Sequence, residues 1–141
     1  MGLKALDPFM TTLQTTDEWM EDVIEELGPK DPTKAQRALR AVLHALRDRM
    51  LPGEIADFAS ELPMLLRGLY YEGWNAGGDM PERSREAFLE DVTDKLQAPA
   101  DPDAEHCTRA IFAVLQQRIS AGEISDVQAH LPDEVTALWP D

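Results

Sequence analysis

The chain contains two copies of one pattern, and this duplication constrains its fold more than any other feature. Arg49-Met-Leu-Pro-Gly-Glu-Ile-Ala-Asp57 and Arg118-Ile-Ser-Ala-Gly-Glu-Ile-Ser-Asp126 share Arg-x-x-x-Gly-Glu-Ile-x-Asp at an offset of 69 residues. Both continue to Leu-Pro, at Leu62-Pro63 and Leu131-Pro132. The same offset, without a gap, pairs Trp19 with Phe88, Glu21-Asp22-Val23 with Glu90-Asp91-Val92 and Leu27 with Leu96. It also pairs Arg40-Ala41 with Arg109-Ala110, Leu46 with Leu115, Leu69 with Leu138 and Tyr70 with Trp139. Of 57 aligned positions 16 are identical, an ordered run that marks a duplicated unit.

Each copy reads as four helices. Thr15-x-x-Glu18 has the form of a capping box opening a helix through Leu27, with Trp19, Met20, Val23, Ile24 and Leu27 at helical spacing and Gly28-Pro29 as its stop. Asp31-Pro32 suits the N-cap and first turn of a second helix to about Arg49, with Leu39, Val42, Leu43, Leu46 and Met50 facing inward. Pro52 or Gly53 opens a short third helix carrying Ile55, Phe58, Ala59 and Leu62, and Pro63 starts a fourth to about Glu72. The second copy repeats this order near 83–97, 102–119, 121–131 and 132–139, with a further capping box at Ser120-x-x-Glu123. No run alternates with period two, so no sheet is expected.

The expected fold is therefore all-α: duplicated four-helix units forming one compact helical bundle with pseudo-twofold symmetry. Residues 1–14 show little pattern and read as a disordered or appended extension. The first repeat is 15–74, the linker 75–82 and the second repeat 83–141. Gly77, Gly78 and Pro81 give the linker its turn chemistry, while Trp74 implies that the junction packs against something.

Charge narrows the function. Thirteen Lys and Arg face 27 Asp and Glu, a net charge of −14, which repels phosphate backbones and anionic lipid heads. Lys34, Arg37, Arg40, Arg47 and Arg49 spread over several faces of one helix, so no basic stripe forms and no nucleic-acid partner is expected. No apolar run of about 18 residues and no secretory start is present, so no membrane contact is expected. A single cysteine makes a cytoplasmic location the default.

The repeated Gly-Glu-Ile-x-Asp reads as a folding device. Gly53 and Gly122 suit helix starts, Glu54 and Glu123 complement the positive end of a helix dipole, and Arg49 and Arg118 are in reach of the acids that follow them. Features that break the repeat are better functional candidates. Arg67, Tyr70, Tyr71, Glu72 and Trp74 combine arginine with aromatics, the composition of binding hot spots, and form the candidate interaction surface. Core packing is the competing account: Leu66, Leu69 and Tyr70 fit a buried helix face, and Trp74 fits a cover over the junction.

Metal and acid–base chemistry find no constellation. His106 and Cys107 are adjacent and point about 100° apart on a helix, while Asp103 with His106, and Asp126 with His130, are only two-residue pairs. The usual zinc and di-iron patterns are missing from the sequence, so neither metal nor cofactor is expected. Glu21, Asp22, Glu25, Glu26, Glu86, Glu90, Asp91 and Asp94 fall on solvated faces. His44 is matched by Ala113, so the repeat does not demand it; Cys107 falls near a helix N-terminus, where a thiolate would be stabilised, and Ser120 precedes no nucleophile elbow. No catalytic residue is assigned.

The chain resembles the bacterial domain-of-unknown-function family 2267. The resemblance rests on Ala-Val-Leu-x-x-Leu at Ala41 to Leu46, Pro-Gly-Glu-x-x-Asp at Pro52 to Asp57, Leu62-Pro63, Arg-Gly-Leu-Tyr-Tyr-Glu-Gly-Trp at Arg67 to Trp74, and Pro81 with Phe88-Leu89. It runs from Thr16 to Trp139 and implies an all-helical duplicated fold without supplying an activity. The second half departs in having Ser120-Ala121 in place of Leu51-Pro52, and it lacks a second Gly-Trp ending. The expected function is a cytoplasmic, non-catalytic protein-interaction or regulatory module, with a partner carrying a basic patch or a second copy as a homodimer. The alternative is a small-molecule-binding protein or enzyme with its pocket between the two repeats.

Overall fold

The computed structural model describes residues 3–28, 31–97 and 103–141, and every regular element among them is helical. Before the linker stand α1 (Leu3–Leu27), α2 (Pro32–Arg47), α3 (Pro52–Ala59) and α4 (Met64–Tyr71). After it stand α5 (Arg85–Leu96), α6 (Ala104–Arg118), α7 (Ala121–Ala129) and α8 (Asp133–Thr136). Residues 75–82 join the two sets without helix.

Local chemistry explains most boundaries. Asp31 Oδ1 accepts from the amides of Thr33 at 3.0 Å and Lys34 at 3.3 Å, with Pro32 in the first turn. The Glu54 carboxylate accepts from the Leu51 amide at 3.0 Å, so the repeated glutamate caps α3 as its spacing predicts. Ser84, Asp103 and Ser120 accept from the amides of Ala87, His106 and Glu123 and open α5, α6 and α7. α1 and α5 end at Gly28 and Gln97, one repeat offset apart, with left-handed φ of 92° and 52°. Glycine takes this conformation freely, and glutamine does so against its Cβ. Pro29, the expected stop of the first helix, and residue 102, the expected start of the sixth, lie outside the described residues.

One boundary differs from the sequence expectation. α1 is already helical at Leu3 and runs without a break through Thr15, where the capping box would start it. The Thr15 hydroxyl donates to the carbonyl of Thr11 one turn back, at 3.1 Å, and so serves the helix interior. The described part of the 1–14 segment is therefore helical, and it carries Pro8 inside the helix.

Packing exchanges partners between the halves. α1 lies against α6 and α2 against α5, so each half's first long helix is covered by the other's second, while α3 meets α7. The buried positions fall in register at the repeat offset: Trp19 and Phe88, Leu43 and Phe112, Leu46 and Leu115, Ile55 and Ile124, Tyr70 and Trp139 are all core residues. Phe112 stacks on Trp139 with ring centroids 3.5 Å apart, and Phe58 packs on Tyr70 at 5.4 Å. One core thus extends through both halves.

Candidate functional site

The cluster from Arg67 to Trp74 is held by a polar row on α2. Arg40, His44 and Arg47 recur at three- and four-residue spacing and share one helix face. Arg40 binds the Glu72 carboxylate at 2.5 Å, and His44 Nε2 donates to the carbonyl of Leu69 at 2.7 Å. Arg47 Nη1 donates to the carbonyls of Tyr70 and Glu72, each at 2.8 Å. These carbonyls end α4, where the dipole is negative and in-helix donors run out. The row therefore closes the C-terminus of α4.

Within the cluster the five residues separate. Tyr70 is fully buried, and its hydroxyl donates to the carbonyl of Ile55 at 3.1 Å. Burial pushes its phenol far above the usual range. Arg67 is exposed, but its guanidinium donates to the carbonyls of Ala59 and Leu62, each at 2.9 Å, and so caps α3. Tyr71 and Trp74 are half-buried and pack on one another with centroids 5.6 Å apart. Glu72 is exposed, and its hydrogen bond from Arg40 holds the carboxyl below the usual range. The structure brings the rings of Tyr70, Tyr71 and Trp74 together, while the Arg67 side chain turns to the end of α3 and that of Glu72 to Arg40 of α2.

His44 is buried, and burial lowers its basicity despite the hydrogen bond to Leu69. The carbonyl partner requires a proton on Nε2.

The repeated arginines do not bind the acids that follow them, as their sequence position suggests. Arg49 donates to Asp91 on α5, and to the carbonyls of Ala45 and Glu82, with its guanidinium 5.4 Å from the Phe88 ring centroid. Arg118 donates to Asp22 on α1. Asp22 and Asp91 are repeat counterparts, so both bridges cross between halves. Of the motif's own acids, Glu54 is engaged instead by the Leu51 amide and by His130. Burial would raise the Asp91 carboxyl, but hydrogen bonds from Lys95 and Arg49 hold it below the usual range. It is partly buried rather than lying on a solvated face.

The seam between α3 and α7 gathers Glu54, Asp57, Glu61, Glu123 and Asp126. Burial and then the neighbouring acids, Glu61 first, raise the carboxyl of Glu123. The Glu61 carboxylate accepts from the amide and hydroxyl of Ser120, both at 2.7 Å. Among the described residues no three His, Cys, Asp or Glu side chains converge as metal ligands. His106 instead donates to the carbonyl of Leu27 at 2.8 Å, and Cys107 is buried in the core.

Two surface depressions flank residues 72 and 73. One, of about 540 Å³, lies between the end of α2, α5 and the linker, with Arg49, Trp74, Asp91 and Lys95 on its walls. The other, about 630 Å³, is a groove between α1, α2 and α4, with the partly buried Met20, Ile24 and Leu69 at its floor, the exposed Leu65 on its α4 wall and the exposed Asp17, Glu21 and Glu72 at its rim. Beyond the groove the same face of α1 carries Leu6, Phe9, Met10 and Leu13, each about half exposed, with Met64 and Leu65 of α4 beside it. The sequence reading missed this strip, although Leu6, Phe9, Met10 and Leu13 have the i, i+3, i+4, i+7 spacing of an apolar helix face.

No helix among the described residues is long and apolar enough to cross a membrane. Comparison with the curated proteins finds no match. A family model described as "Uncharacterized conserved protein (DUF2267)" matches residues 16–138, most of the chain and both halves. The chain therefore belongs to the DUF2267 family.

Proposed function

We propose that the protein is a non-catalytic helical interaction module acting in the cytoplasm, and that it regulates by association. One observation carries the reading: six large apolar side chains, Leu6, Phe9, Met10, Leu13, Met64 and Leu65, stand 45–53% exposed on one continuous face. Contiguous exposed apolar surface of this kind marks an interaction site. The groove that continues it is rimmed by Asp17, Glu21 and Glu72, which favours a partner surface that is basic or uncharged and disfavours an acidic one. Glu72 joins this rim to the Arg67–Trp74 cluster, whose Tyr71 and Trp74 extend the half-exposed aromatic surface. We further read the two halves as related by a pseudo-twofold axis, supported by the exchanged packing of α1 on α6 and α2 on α5 and by the reciprocal arginine bridges.

A photo-crosslinking residue placed at Leu13 or Met64, compared with one at Glu86, tests the reading in the native lysate. Discrete adducts from the first two positions and none from the third are expected. Equal or absent labelling at all three overturns it. The second reading, a small-molecule-binding protein or enzyme, has the depression between α2, α5 and the linker in its favour, with Trp74 set among charged side chains. A metabolite co-purifying with the protein and lost on Trp74→Ala would move that reading ahead.

A further inference from the structure

The exposed strip on α1 has a particular shape and charge. Every residue from Lys4 to Thr11 is exposed, so the first turns of α1 stand clear of the bundle. Pro8 lies inside those turns and removes one helical hydrogen bond. A short projecting helix interrupted by proline and showing Leu6, Phe9, Met10 and Leu13 to water has little stability of its own. It needs cover.

The same helix supplies matching cover further along. Leu6, Phe9 and Leu13 continue through Thr16, Met20 and Ile24 as one face, spaced by three and four residues. Met20 and Ile24 line the groove, and Leu65 of α4 forms its other wall; the Leu65 amide donates to Thr12 Oγ1 at 3.0 Å and ties α4 to this stretch of α1. Projecting apolar side chains and an apolar groove thus lie end to end on one face.

We propose that the occupant of this face is α1 of a second copy of the chain, packed antiparallel about a twofold axis near residues 14 and 15. This rests on the reading of the strip as an interaction surface. The antiparallel register sets Phe9 of one copy opposite Met20 of the other and Leu13 opposite Thr16, with Leu6 opposite position 23, one residue before Ile24. Projecting side chains fill the partner's groove, and each copy offers the same surface, as a twofold contact requires.

Charge selects this direction. Residues 3–16 carry only Lys4 and Asp7, a balance of zero, whereas residues 17–27 carry Asp17, Glu18, Glu21, Asp22, Glu25 and Glu26 and no base. Antiparallel packing lays the acidic half of each helix along the neutral half of the other. Parallel packing lays acid along acid. Area is adequate as well. Six large apolar side chains at half exposure leave about 1,200 Å² for the pair when all of it is covered, the lower edge of the range of specific interfaces.

Sedimentation or light scattering of the purified full chain reads the prediction directly: the mass is twice that of the chain and persists at high salt. Leu13→Asp, at an exposed position, gives a monomer whose circular dichroism and melting of the bundle are retained; Leu6→Asp does the same further from the axis. Register is read by mixing Phe9→Cys protein with Met20→Cys protein under mild oxidation. The mixture gives a disulfide-linked dimer, while Phe9→Cys alone does not, because its two copies lie about 16 Å apart along the helix. A monomeric wild type, or a Phe9→Cys homodimer forming as fast as the mixed one, overturns the proposal. A monomer that still gives adducts with another protein through Leu13 overturns only the second copy as occupant; a monomer giving no adduct overturns the interaction surface too.

Discussion

Arg49 donates to Asp91 at 2.7 Å across the two halves, and Arg118, its repeat counterpart, donates to Asp22 at 2.8 Å. The bridges have the same topology in different surroundings: the Arg49 side chain is 2% exposed and that of Arg118 is 31% exposed. Removing one partner of a buried pair leaves a charge without its counter-ion, whereas a surface pair contributes little. Asp91→Ala is expected to cost on the order of 3 kcal/mol, softened by the carbonyls that also receive Arg49. Asp22→Ala should cost under about 1 kcal/mol. Urea unfolding of the two variants checks the asymmetry, and equal losses would contradict it.

Gln97 holds the left-handed conformation that Gly28 holds at the end of α1. A side chain there costs about 1 kcal/mol relative to glycine. Gln97→Gly is therefore expected to raise stability by on the order of 1 kcal/mol, visible as a higher melting temperature, while Gly28→Ala lowers it. A Gln97→Gly variant that melts earlier would show that the glutamine side chain outweighs its strain.

The Tyr70 ring is core, and its hydroxyl has one acceptor, the Ile55 carbonyl. Tyr70→Phe keeps the ring contacts with Phe58 and Tyr71 and loses that bond, for an expected cost of about 1 kcal/mol. Tyr70→Ala opens a cavity and should cost about 3–5 kcal/mol. Differential scanning calorimetry separates the two.

His44 gives the bundle a pH dependence with a definite sign. Burial lowers its folded basicity below the ordinary value of 6.5. Below pH 6.5 the unfolded chain then binds more protons than the folded one, so stability is full above that pH and declines as pH falls toward the folded value. One group contributes a slope of at most about 1.4 kcal/mol per pH unit. His44→Gln retains a donor for Leu69 and should flatten this limb between neutral and mildly acid pH. An unchanged limb in the variant would place its origin elsewhere.

Much of the fold is legible in the sequence because the duplication repeats the apolar helix positions, Trp19 with Phe88 and Ile55 with Ile124 among them, and because caps are local. Asp31, Glu54 and Ser120 cap the helices their local spacing indicates, since a cap depends on residues within one turn. Thr15 misleads for a related reason: a threonine hydroxyl serves a cap and a helix interior alike, and only the chain before it decides which. The targets of Arg49 and Arg118 could not be read locally, because their acids lie 42 and 96 positions away in sequence. Nor does the sequence separate Tyr70 from Tyr71. They are adjacent and chemically alike, and only the approach of α3 puts one in the core and leaves the other half out.

The exchanged packing of α1 on α6 and α2 on α5 has a consequence for the linker at Gly77 and Gly78. A break in the backbone there would not free two small proteins. Each fragment would lose the surface that covers Trp19 or Phe88, so the pieces would remain joined by the core alone. The peptide connection supplies proximity, and cohesion comes from elsewhere.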